Sequence, residues 1–175
     1  MIKPNIIFKE NFVKNSDDLL DYCLNNVTWD NRLKARKTAS FGVSYDYSGI
    51  TYPPCEIPPK FNEICELINA ELNYLPNNCL LNYYQNGDST MGFHSDSSEE
   101  LKNETGISIV SLGAIRKITF RNKANRSINI DYELKNGALL YMDKLVQDEW
   151  LHAIPKAINI GIRISLTFRN IIKKT

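Results

Sequence analysis

Apolar residues recur at helical spacing in two segments of the N-terminal half. In residues 16–26, Leu19, Leu20 and Cys23 form an apolar side behind two acidic first-turn residues. In residues 59–73, a pair of prolines precedes a second set of apolar positions at helical spacing. These positions are Phe61, Ile64, Cys65, Ile68 and Leu72. The pattern predicts two amphipathic helices.

From Cys79 onward, short apolar runs rich in β-branched residues alternate with turn residues, which predicts strands. The predicted strands are residues 79–84, 90–94, 107–113, 115–121, 126–134, 137–143, 149–154 and 160–169. Many short strands without helices between them favour an antiparallel sandwich or jelly roll over a parallel sheet. Upstream, residues 30–58 are rich in Tyr, Gly, Ser and Pro and predict loops and short strands that cover a site.

Length and charge narrow the class of protein. A chain of 175 residues fits one domain (1–175) with a sizeable core, and no apolar run reaches the roughly 20 residues of a membrane helix. The net charge of +1 is not that of a protein that coats nucleic acid, so any such contact must use a local patch. The best basic patch is Arg32, Lys34, Arg36 and Lys37.

The N-terminus and the cysteines indicate a compartment. No signal peptide is recognised at the N-terminus, so we expect a protein that is not secreted. The four cysteines include no CxxC pair, and we expect buried free thiols in a reducing compartment, cytoplasmic or nuclear. We expect a monomer that does not associate with membranes.

The chain contains two histidines, His94 and His152, and Asp96 follows the first by two positions. Residues i and i+2 of an extended strand point to the same side, so His94 and Asp96 can reach one metal ion, with His152 arriving from a distant strand. Two histidines and one carboxylate leave three positions open on an octahedron, which suits non-haem Fe(II) better than zinc. The spacing alone leaves open a chance His-x-Asp motif beside an ordinary core histidine.

Residues 163–169 alternate polar and apolar side chains, which predicts a strand whose two faces differ. The polar face carries Arg163, Ser165, Thr167 and Arg169. On the surface it would be an ordinary charged strand. Facing the interior, its two guanidinium groups would require anions, and a dicarboxylate would supply two in the bidentate geometry that arginine favours. The presence of the candidate metal ligands favours the interior arrangement.

Several blocks of the sequence resemble, in order, the motifs of AlkB-type Fe(II)/2-oxoglutarate-dependent dioxygenases. The blocks are NYYQNGDSTMGFHSD (82–96), IVSLGAIRKITFR (109–121), GALLYM (137–142), WLHAIPK (150–156) and RISLTFR (163–169). The resemblance runs from about Arg36 to Arg169. It implies a mainly β (α+β) fold: a double-stranded β-helix, or jelly-roll, core at about 79–170, flanked by N-terminal helices. A substrate-recognition lid is expected at about 27–58.

The resemblance also implies a set of cofactors and their ligands. Fe(II) would be held by His94, Asp96 and His152, with 2-oxoglutarate as co-substrate and O₂ as oxidant. Arg163 would pair with the distal carboxylate of 2-oxoglutarate, and Arg169 would lie near the keto-acid end. The complete set of expected co-substrate contacts is Asn82, Tyr84, Arg163, Ser165, Thr167 and Arg169.

Upstream of the core, two short blocks resemble the family's nucleotide-recognition region. They are ARKTASFG (35–42) and YDYSG (45–49). The resemblance implies that Tyr45, Tyr47 and Ser48 line a base pocket and that Arg36 meets a phosphate. Aromatic faces stack with bases, and a target base must leave its stack to reach a metal. Taken without the resemblance, the tyrosines are also compatible with packing inside strands.

One position departs from the family's pattern. Members that repair DNA commonly carry an acidic residue four positions after the first iron-ligating histidine, whereas this chain has Ser98 there. In those members the acid contacts the exocyclic nitrogen of the damaged base. Glu99 or Glu100 would substitute only if the loop shifts.

The leading prediction is therefore oxidative demethylation of N-alkylated nucleobases of the 1-methyladenine and 3-methylcytosine type. The expected substrate is DNA, preferably single-stranded, and the expected products are formaldehyde, succinate and CO₂. A second hypothesis keeps the oxygenase chemistry and changes the substrate to RNA, tRNA or a molecule that is not a nucleic acid. A third hypothesis is a non-catalytic nucleic-acid binding module, against which the intact ligand set argues.

Overall fold

The computed structural model describes residues 2–172, which contain twelve strands and three helices. Met1 and residues 173–175, included in the predicted domain, lie outside the described residues. The strands are β1 (Ile6–Lys9), β2 (Lys37–Gly42), β3 (Tyr45–Tyr47), β4 (Ile50–Tyr52), β5 (Asn78–Tyr84), β6 (Met91–His94), β7 (Ile107–Gly113), β8 (Arg116–Asn122), β9 (Asn129–Leu134), β10 (Ala138–Met142), β11 (Trp150–Ile154) and β12 (Arg163–Arg169). The helices are α1 (Ser16–Asn26), α2 (Pro59–Leu72) and α3 (Lys144–Glu149).

The strands form two main sheets and a hairpin, and the described strand pairs are all antiparallel. The larger sheet has six strands in the order β1-β10-β7-β12-β5-β2, and the smaller has four in the order β6-β11-β8-β9. Neighbouring strands such as β12 and β5 are far apart in sequence, as expected for a jelly roll. The predicted mainly β jelly-roll class is confirmed.

Helices α1 and α2 cover the outer face of the six-stranded sheet. Leu19 and Cys23 from α1, and Phe61 and Ile68 from α2, are buried in one cluster with the apolar face of β12. That face consists of Ile164, Leu166 and Phe168. Each such side chain stabilises the fold by about 1.5–3 kcal/mol when fully buried. The polar face of β12 must therefore point the other way, into the space between the two sheets.

A second apolar cluster fills most of that space. Ile107 and Leu140 of the larger sheet are buried in the same cluster as Ile118, Phe120 and Trp150 of the smaller one. Because both faces of the larger sheet are covered, its central strands are buried on both sides. The polar side chains on the inner face are thus enclosed by apolar walls, where a charged group without a partner is costly.

A two-residue hairpin carries β3 and β4 beside the main core. Its turn residues, Ser48 and Gly49, have φ values of +51° and +76°. Positive φ at both positions matches the turn type that joins twisted antiparallel strands most readily. Tyr45 and Ile50 of the hairpin pack in a small cluster with Leu80 of β5, so the hairpin is held against the larger sheet.

The predicted helices are confirmed, except that the second ends one residue early, at Leu72. The next residue, Asn73, has a φ of +57°, a conformation that commonly ends a helix. Two predicted strands begin three residues late, β9 at Asn129 and β12 at Arg163. Before β9, the side chain of Asn125 accepts hydrogen bonds from Ser127, which holds a turn there instead. The described helices are too short and too polar to span a bilayer.

The expectation of buried thiols is wrong for one of the four cysteines. Cys23, Cys65 and Cys79 are buried and free, as predicted, but Cys55 is free and exposed. Cys55 lies outside the helices and strands, in an isolated bridge with Gly42 at the edge of the larger sheet. Burial raises the pKa of the Cys23 and Cys65 thiols to about 12, so these groups are inert apolar side chains.

Candidate active site

The pairing of β6 with β11 brings the two histidines together. His94 and His152 are direct partners across this antiparallel pair, and their ring centroids are 4.3 Å apart. Partners across a strand pair project to the same face of a sheet, so both rings point into the space between the sheets. The convergence that the sequence predicted is thus a consequence of strand register.

Asp96 lies two residues beyond the end of β6. Its Oδ2 atom is 3.5 Å from His152 Nε2, and its Oδ1 accepts a hydrogen bond of 3.1 Å from Arg169 Nη2. A hydrogen bond holds the loop that carries Asp96, because the backbone N–H of Asp96 donates to Oε1 of Gln147 at 2.9 Å. Gln147 belongs to α3, a short helix that the sequence pattern did not predict.

The electrostatics of the site favour the ligand forms of Asp96 and His94. Burial opposes ionisation of Asp96, but Arg169 and His152 outweigh it, and the pKa of the Asp96 carboxyl lies below its usual range. Burial, assisted by His152, lowers the pKa of His94. The Nδ1 atom of His94 lies 2.9 Å from the carbonyl oxygen of Gly92, which fits a tautomer with a free Nε2.

The donor set fits a divalent metal ion. One ligand atom from each of His94, Asp96 and His152 lies within 4.8 Å of the others. A neutral imidazole pair and a carboxylate on one side of a site are the ligands of non-haem Fe(II) enzymes, and they leave positions open for other ligands. The fixed tautomer of His94 is also the arrangement that a metal-ligating histidine needs. These three residues therefore form a candidate iron site.

The polar face of β12 lies beside this group. Arg163 pairs with Tyr84 of β5, and Ser165 pairs with Asn82, so residues from both strands share one face. Arg163 is 1% exposed; its Nε donates to Ser111 Oγ at 2.9 Å, while its Nη1 has no partner among the described residues. A buried guanidinium with an unused N–H group is a receptor for an anion.

Arg169 forms the other end of that face. It is 2% exposed, and its guanidinium lies 4.8 Å from the ring centre of Tyr45. One terminal nitrogen is bonded to Asp96, but Nε and Nη1 have no partner among the described residues. The two arginines at either end of the face therefore have unused donors close to the candidate metal ligands.

These side chains line one cavity between the sheets, with about 410 Å³ of space including its open mouth. Its described lining has polar residues from β5, β12 and the His-Asp-His group, and apolar residues from both sheets, such as Leu80 and Ile118. The polar lining residues are Tyr47, Asn82, Tyr84, His94, Asp96, His152, Arg163, Ser165, Thr167 and Arg169. Every residue that the resemblance assigned to the metal and to 2-oxoglutarate is in this set.

The predicted substrate residues are distributed differently. Tyr47 lines the cavity. Tyr45 is not among the lining residues, and its ring packs against Arg169. Ser48 is exposed on the hairpin turn and does not line the cavity. Arg36 is half-buried, and its side chain bonds to protein groups, among them Asn82.

The acidic replacements considered for Ser98 do not line the cavity. Ser98 and Glu99 border a separate surface depression, and Glu100 borders another one beside Tyr45. Among the described residues that line the central cavity, Asp96 is the only acid. The departure at Ser98 thus persists in the structure.

Arg116 is a buried residue of the site region that sequence reasoning missed. Its two terminal nitrogens donate to the carbonyl oxygens of Asn86, Ser89 and Pro155, and its guanidinium lies 5.6 Å from the ring centre of Tyr84. Arg116 thereby joins the loop after β5 to the loop after β11, beside Tyr84 of the cavity lining. The signal was the alternation along β8, where Arg116 occupies an inward position between the exposed Lys117 and the turn.

The fold and the site together define a jelly-roll oxygenase with a non-haem iron centre. A family model described as the 2OG-Fe(II) oxygenase superfamily matches residues 21–169. The chain belongs to this superfamily and is of the AlkB type. The superfamily uses Fe(II), 2-oxoglutarate and O₂, and His94, Asp96 and His152 form a possible site for the iron.

Individual relatives agree with this assignment. The chain is 30% identical over 151 residues to DNA oxidative demethylase ALKBH2 of Bos taurus, which covers 80% of this chain and 54% of that protein. It is 28% identical over 179 residues to alpha-ketoglutarate-dependent dioxygenase alkB homolog 3 of Mus musculus, covering 91% and 63%. The chain therefore spans little more than half the length of these curated relatives.

A solved structure reported as that of OsALKBH1 has the same fold. Its TM-score is 0.70 at 17% sequence identity, and the superposition covers 97% of this chain and 100% of the other. At that identity the likeness concerns the fold alone. It agrees with the jelly-roll arrangement of the two sheets.

Proposed function

We propose that this chain demethylates N-alkylated nucleobases oxidatively, acting on bases of the 1-methyladenine and 3-methylcytosine type in DNA, preferably single-stranded. One observation carries the proposal: a His-Asp-His group and two buried arginines with unused donors line the same cavity. One relative with a similar sequence is named as a DNA oxidative demethylase, and another is named as an alkB homolog. These names support nucleic acid as the substrate class.

The charges of the cavity support the binding of a dianion. Arg163 and Arg169 contribute two positive charges and Asp96 one negative charge, before any metal ion is counted. Arginine binds carboxylates through paired N–H groups, and Arg163 retains Nη1 for such a contact. We assign the distal carboxylate of 2-oxoglutarate to Arg163, assisted by Tyr84, and the keto-acid end to the region of Arg169.

The remaining polar groups of that face fix the orientation of the co-substrate. Asn82 and Tyr84 project beside Ser165 and Arg163, their partners across the strand pair. Together with Thr167, these groups give a row of donors and acceptors along one wall. A co-substrate held along such a wall is positioned relative to His94, Asp96 and His152 without further rearrangement.

Iron bound at this triad supplies the activation of O₂ that oxidises an N-methyl group. The protein supplies binding and exclusion of water: the smaller sheet adds the apolar side chains of Ile118, Leu134 and Ile154 to the cavity lining. Tyr47 gives an aromatic face at the cavity mouth, which suits a base that has left its stack. The expected products are formaldehyde, succinate and CO₂.

A second candidate keeps this chemistry and changes the substrate. Asp96 is the only acid in the described lining of the cavity, and it is engaged with Arg169. An acid that would contact the exocyclic nitrogen of a damaged base is thus missing from the position of Ser98. This observation favours testing methylated RNA and tRNA beside DNA.

The test is mass spectrometry of short oligonucleotides that contain one 1-methyladenine or one 3-methylcytosine. Single-stranded DNA, duplex DNA and RNA of the same sequence are incubated with protein, Fe(II), 2-oxoglutarate and ascorbate. We expect loss of 14 Da from single-stranded DNA together with release of succinate, because replacing CH₃ by H removes CH₂. The variant Asp96→Ala is the control for chemistry that depends on the metal site.

The outcomes separate the hypotheses. Loss of the methyl group from RNA alone would favour the second candidate. Succinate release that neither nucleic acid stimulates would overturn both nucleic-acid proposals. Binding of DNA that survives in Asp96→Ala, without any turnover in the unmodified protein, would indicate a non-catalytic binding module.

A further inference from the structure

The side chain of Arg36 connects the lid segment to the wall of the cavity. Its Nε donates to Oδ1 of Asn82 at 2.8 Å, and its Nη1 donates to the carbonyl oxygen of Thr90 at 3.3 Å. Its Nη2 donates to the hydroxyl of Tyr47. All three nitrogens of the guanidinium are thus bonded to protein groups, and the side chain is half-buried.

The bond from Arg36 determines which way the Asn82 amide faces. An asparagine side chain has an acceptor oxygen at one corner of its plane and a donor NH₂ group at the other. Arginine can only donate, so the amide oxygen must point toward Arg36. The NH₂ group of Asn82 is then presented on the opposite side, and Asn82 lines the cavity.

We propose that Arg36 is a positioning residue for the co-substrate, which holds the Asn82 amide with its N–H groups toward 2-oxoglutarate. This role rests on the assignment of Asn82 to 2-oxoglutarate under the proposed function. It differs from the phosphate contact that the family resemblance implied, because the guanidinium is directed into the protein. It also couples two sites, since the same guanidinium holds Tyr47 at the cavity mouth.

The shape of arginine is essential to this arrangement. The three acceptors are the side chains of Asn82 and Tyr47 and the backbone of Thr90. A planar guanidinium reaches them with donors in fixed directions, whereas a lysine has one nitrogen and cannot reproduce this geometry. Lysine would nevertheless satisfy a phosphate as a positive charge. The substitution Arg36→Lys therefore separates the two roles.

The experiment is a calorimetric titration of 2-oxoglutarate into protein loaded with Mn(II), which binds without turnover. For Arg36→Lys and Arg36→Met we expect 2-oxoglutarate to bind about 5- to 10-fold more weakly, the effect of one lost hydrogen bond. The matched control is Lys34→Met, which removes a positive charge from an exposed position of the same segment and should leave this affinity unchanged. Thermal unfolding of each variant checks that the fold is retained.

A double-mutant cycle with Asn82→Ala tests whether Arg36 acts through the amide. If it does, Asn82→Ala alone weakens the binding of 2-oxoglutarate, and adding Arg36→Met weakens it no further. Additive losses would show that Arg36 acts elsewhere and would overturn the proposal. A general structural role of Arg36 would not produce this dependence on Asn82.

Failure of this proposal is distinct from failure of the proposed function. Wild-type affinity for 2-oxoglutarate in both Arg36 variants, with binding of a methylated oligonucleotide weakened in Arg36→Met but kept in Arg36→Lys, would restore the phosphate contact and overturn the positioning role. Conversely, the expected losses of 2-oxoglutarate affinity in a protein that leaves every methylated oligonucleotide intact would support the positioning role. That second result would overturn the nucleobase substrate alone.

Discussion

Gln147 is a polar side chain buried to 2% exposure whose contacts explain its position. Its Oε1 accepts the hydrogen bond from the backbone of Asp96, and its Nε2 lies 3.4 Å from the sulfur of Met142. A buried amide needs hydrogen-bond partners, and the oxygen of this one accepts from the backbone of Asp96, a candidate metal ligand. Gln147 therefore holds Asp96 in place at the candidate iron site, although it contacts no ligand atom of the His-Asp-His group.

We predict that Gln147→Met weakens metal binding, because methionine has similar volume but no strong acceptor for the Asp96 N–H group. The loss of a supporting contact of this kind costs about 10- to 100-fold in metal affinity. Titration of Mn(II) followed by electron paramagnetic resonance measures the change directly. The control is Asp148→Asn, an exposed neighbour on α3. Equal Mn(II) affinity in the Gln147 variant and the unmodified protein would contradict the prediction.

Two buried arginines flank the ring of Tyr84 and offer a matched comparison. Arg163 lies 5.0 Å and Arg116 lies 5.6 Å from its centre. Both terminal nitrogens of Arg116 donate to backbone carbonyl groups, whereas Nη1 of Arg163 has no partner among residues 2–172. Arg116 thus uses its terminal nitrogens to support the fold and keeps only Nε without a partner among these residues, whereas Arg163 has a free terminal donor in the cavity lining.

We predict that Arg163→Lys weakens 2-oxoglutarate binding about 10- to 100-fold, since a charged hydrogen bond contributes about 1.5–3 kcal/mol and lysine lacks the paired donors. Arg116→Lys should instead lower the free energy of unfolding and change 2-oxoglutarate affinity much less. Calorimetric titration and urea unfolding measure the two quantities. The reverse order of the two affinity losses would exclude Arg163 as the carboxylate partner.

At the scale of elements, the β3–β4 hairpin determines where Tyr47 lies. Gly49 in its turn has a φ of +76°, and a Cβ added there would meet nothing within 4 Å. An alanine at this position is therefore strained by its backbone conformation and not by a steric clash. The expected strain is roughly 1 kcal/mol.

We predict that Gly49→Ala loosens the hairpin and raises the KM for a methylated oligonucleotide about five-fold, equivalent to about 1 kcal/mol. The affinity for 2-oxoglutarate should change little, because β5 and β12 are held by the larger sheet. The control is Gly161→Ala, where an added Cβ also meets nothing within 4 Å and no positive φ is present. A similar KM effect in both variants would argue against the hairpin as a substrate-binding element.

The elements also show what the sequence could and could not predict. The alternation in β12 was visible because seven residues of strict period two leave no other regular interpretation. Helix α3 has only six residues, too few for a helical period to emerge, so Gln147 remained unnoticed. The bond between Arg36 and Asn82 joins residues 46 positions apart. Such contacts depend on tertiary packing, and no local pattern encodes them.

At the scale of the whole molecule, two sheets of unequal size enclose a cavity to which the larger sheet contributes two arginines and the smaller sheet two histidines. The larger sheet is covered outside by α1 and α2, which makes its inner face a buried surface. Arg163 and Arg169 of that face, with Asp96 from the loop after β6, leave a net positive charge in the lining of the cavity. Buried charge of one sign is unfavourable, so the fold itself is stabilised when an anion binds there.

This charge imbalance gives a prediction about stability. A ligand present at 100 times its Kd stabilises the folded state by about 2.7 kcal/mol. For a domain of this size each kcal/mol shifts the Tm by about 2–4 °C, so Mn(II) and 2-oxoglutarate, each at 100 times its Kd, should together raise the Tm by about 10–20 °C. Differential scanning fluorimetry measures the shift, and excess chelator should reverse the part that is due to Mn(II). In Asp96→Ala that part should be lost while a smaller shift from 2-oxoglutarate persists, because Arg163 still offers its free donor. An equal shift in both proteins would mean that the metal binds elsewhere.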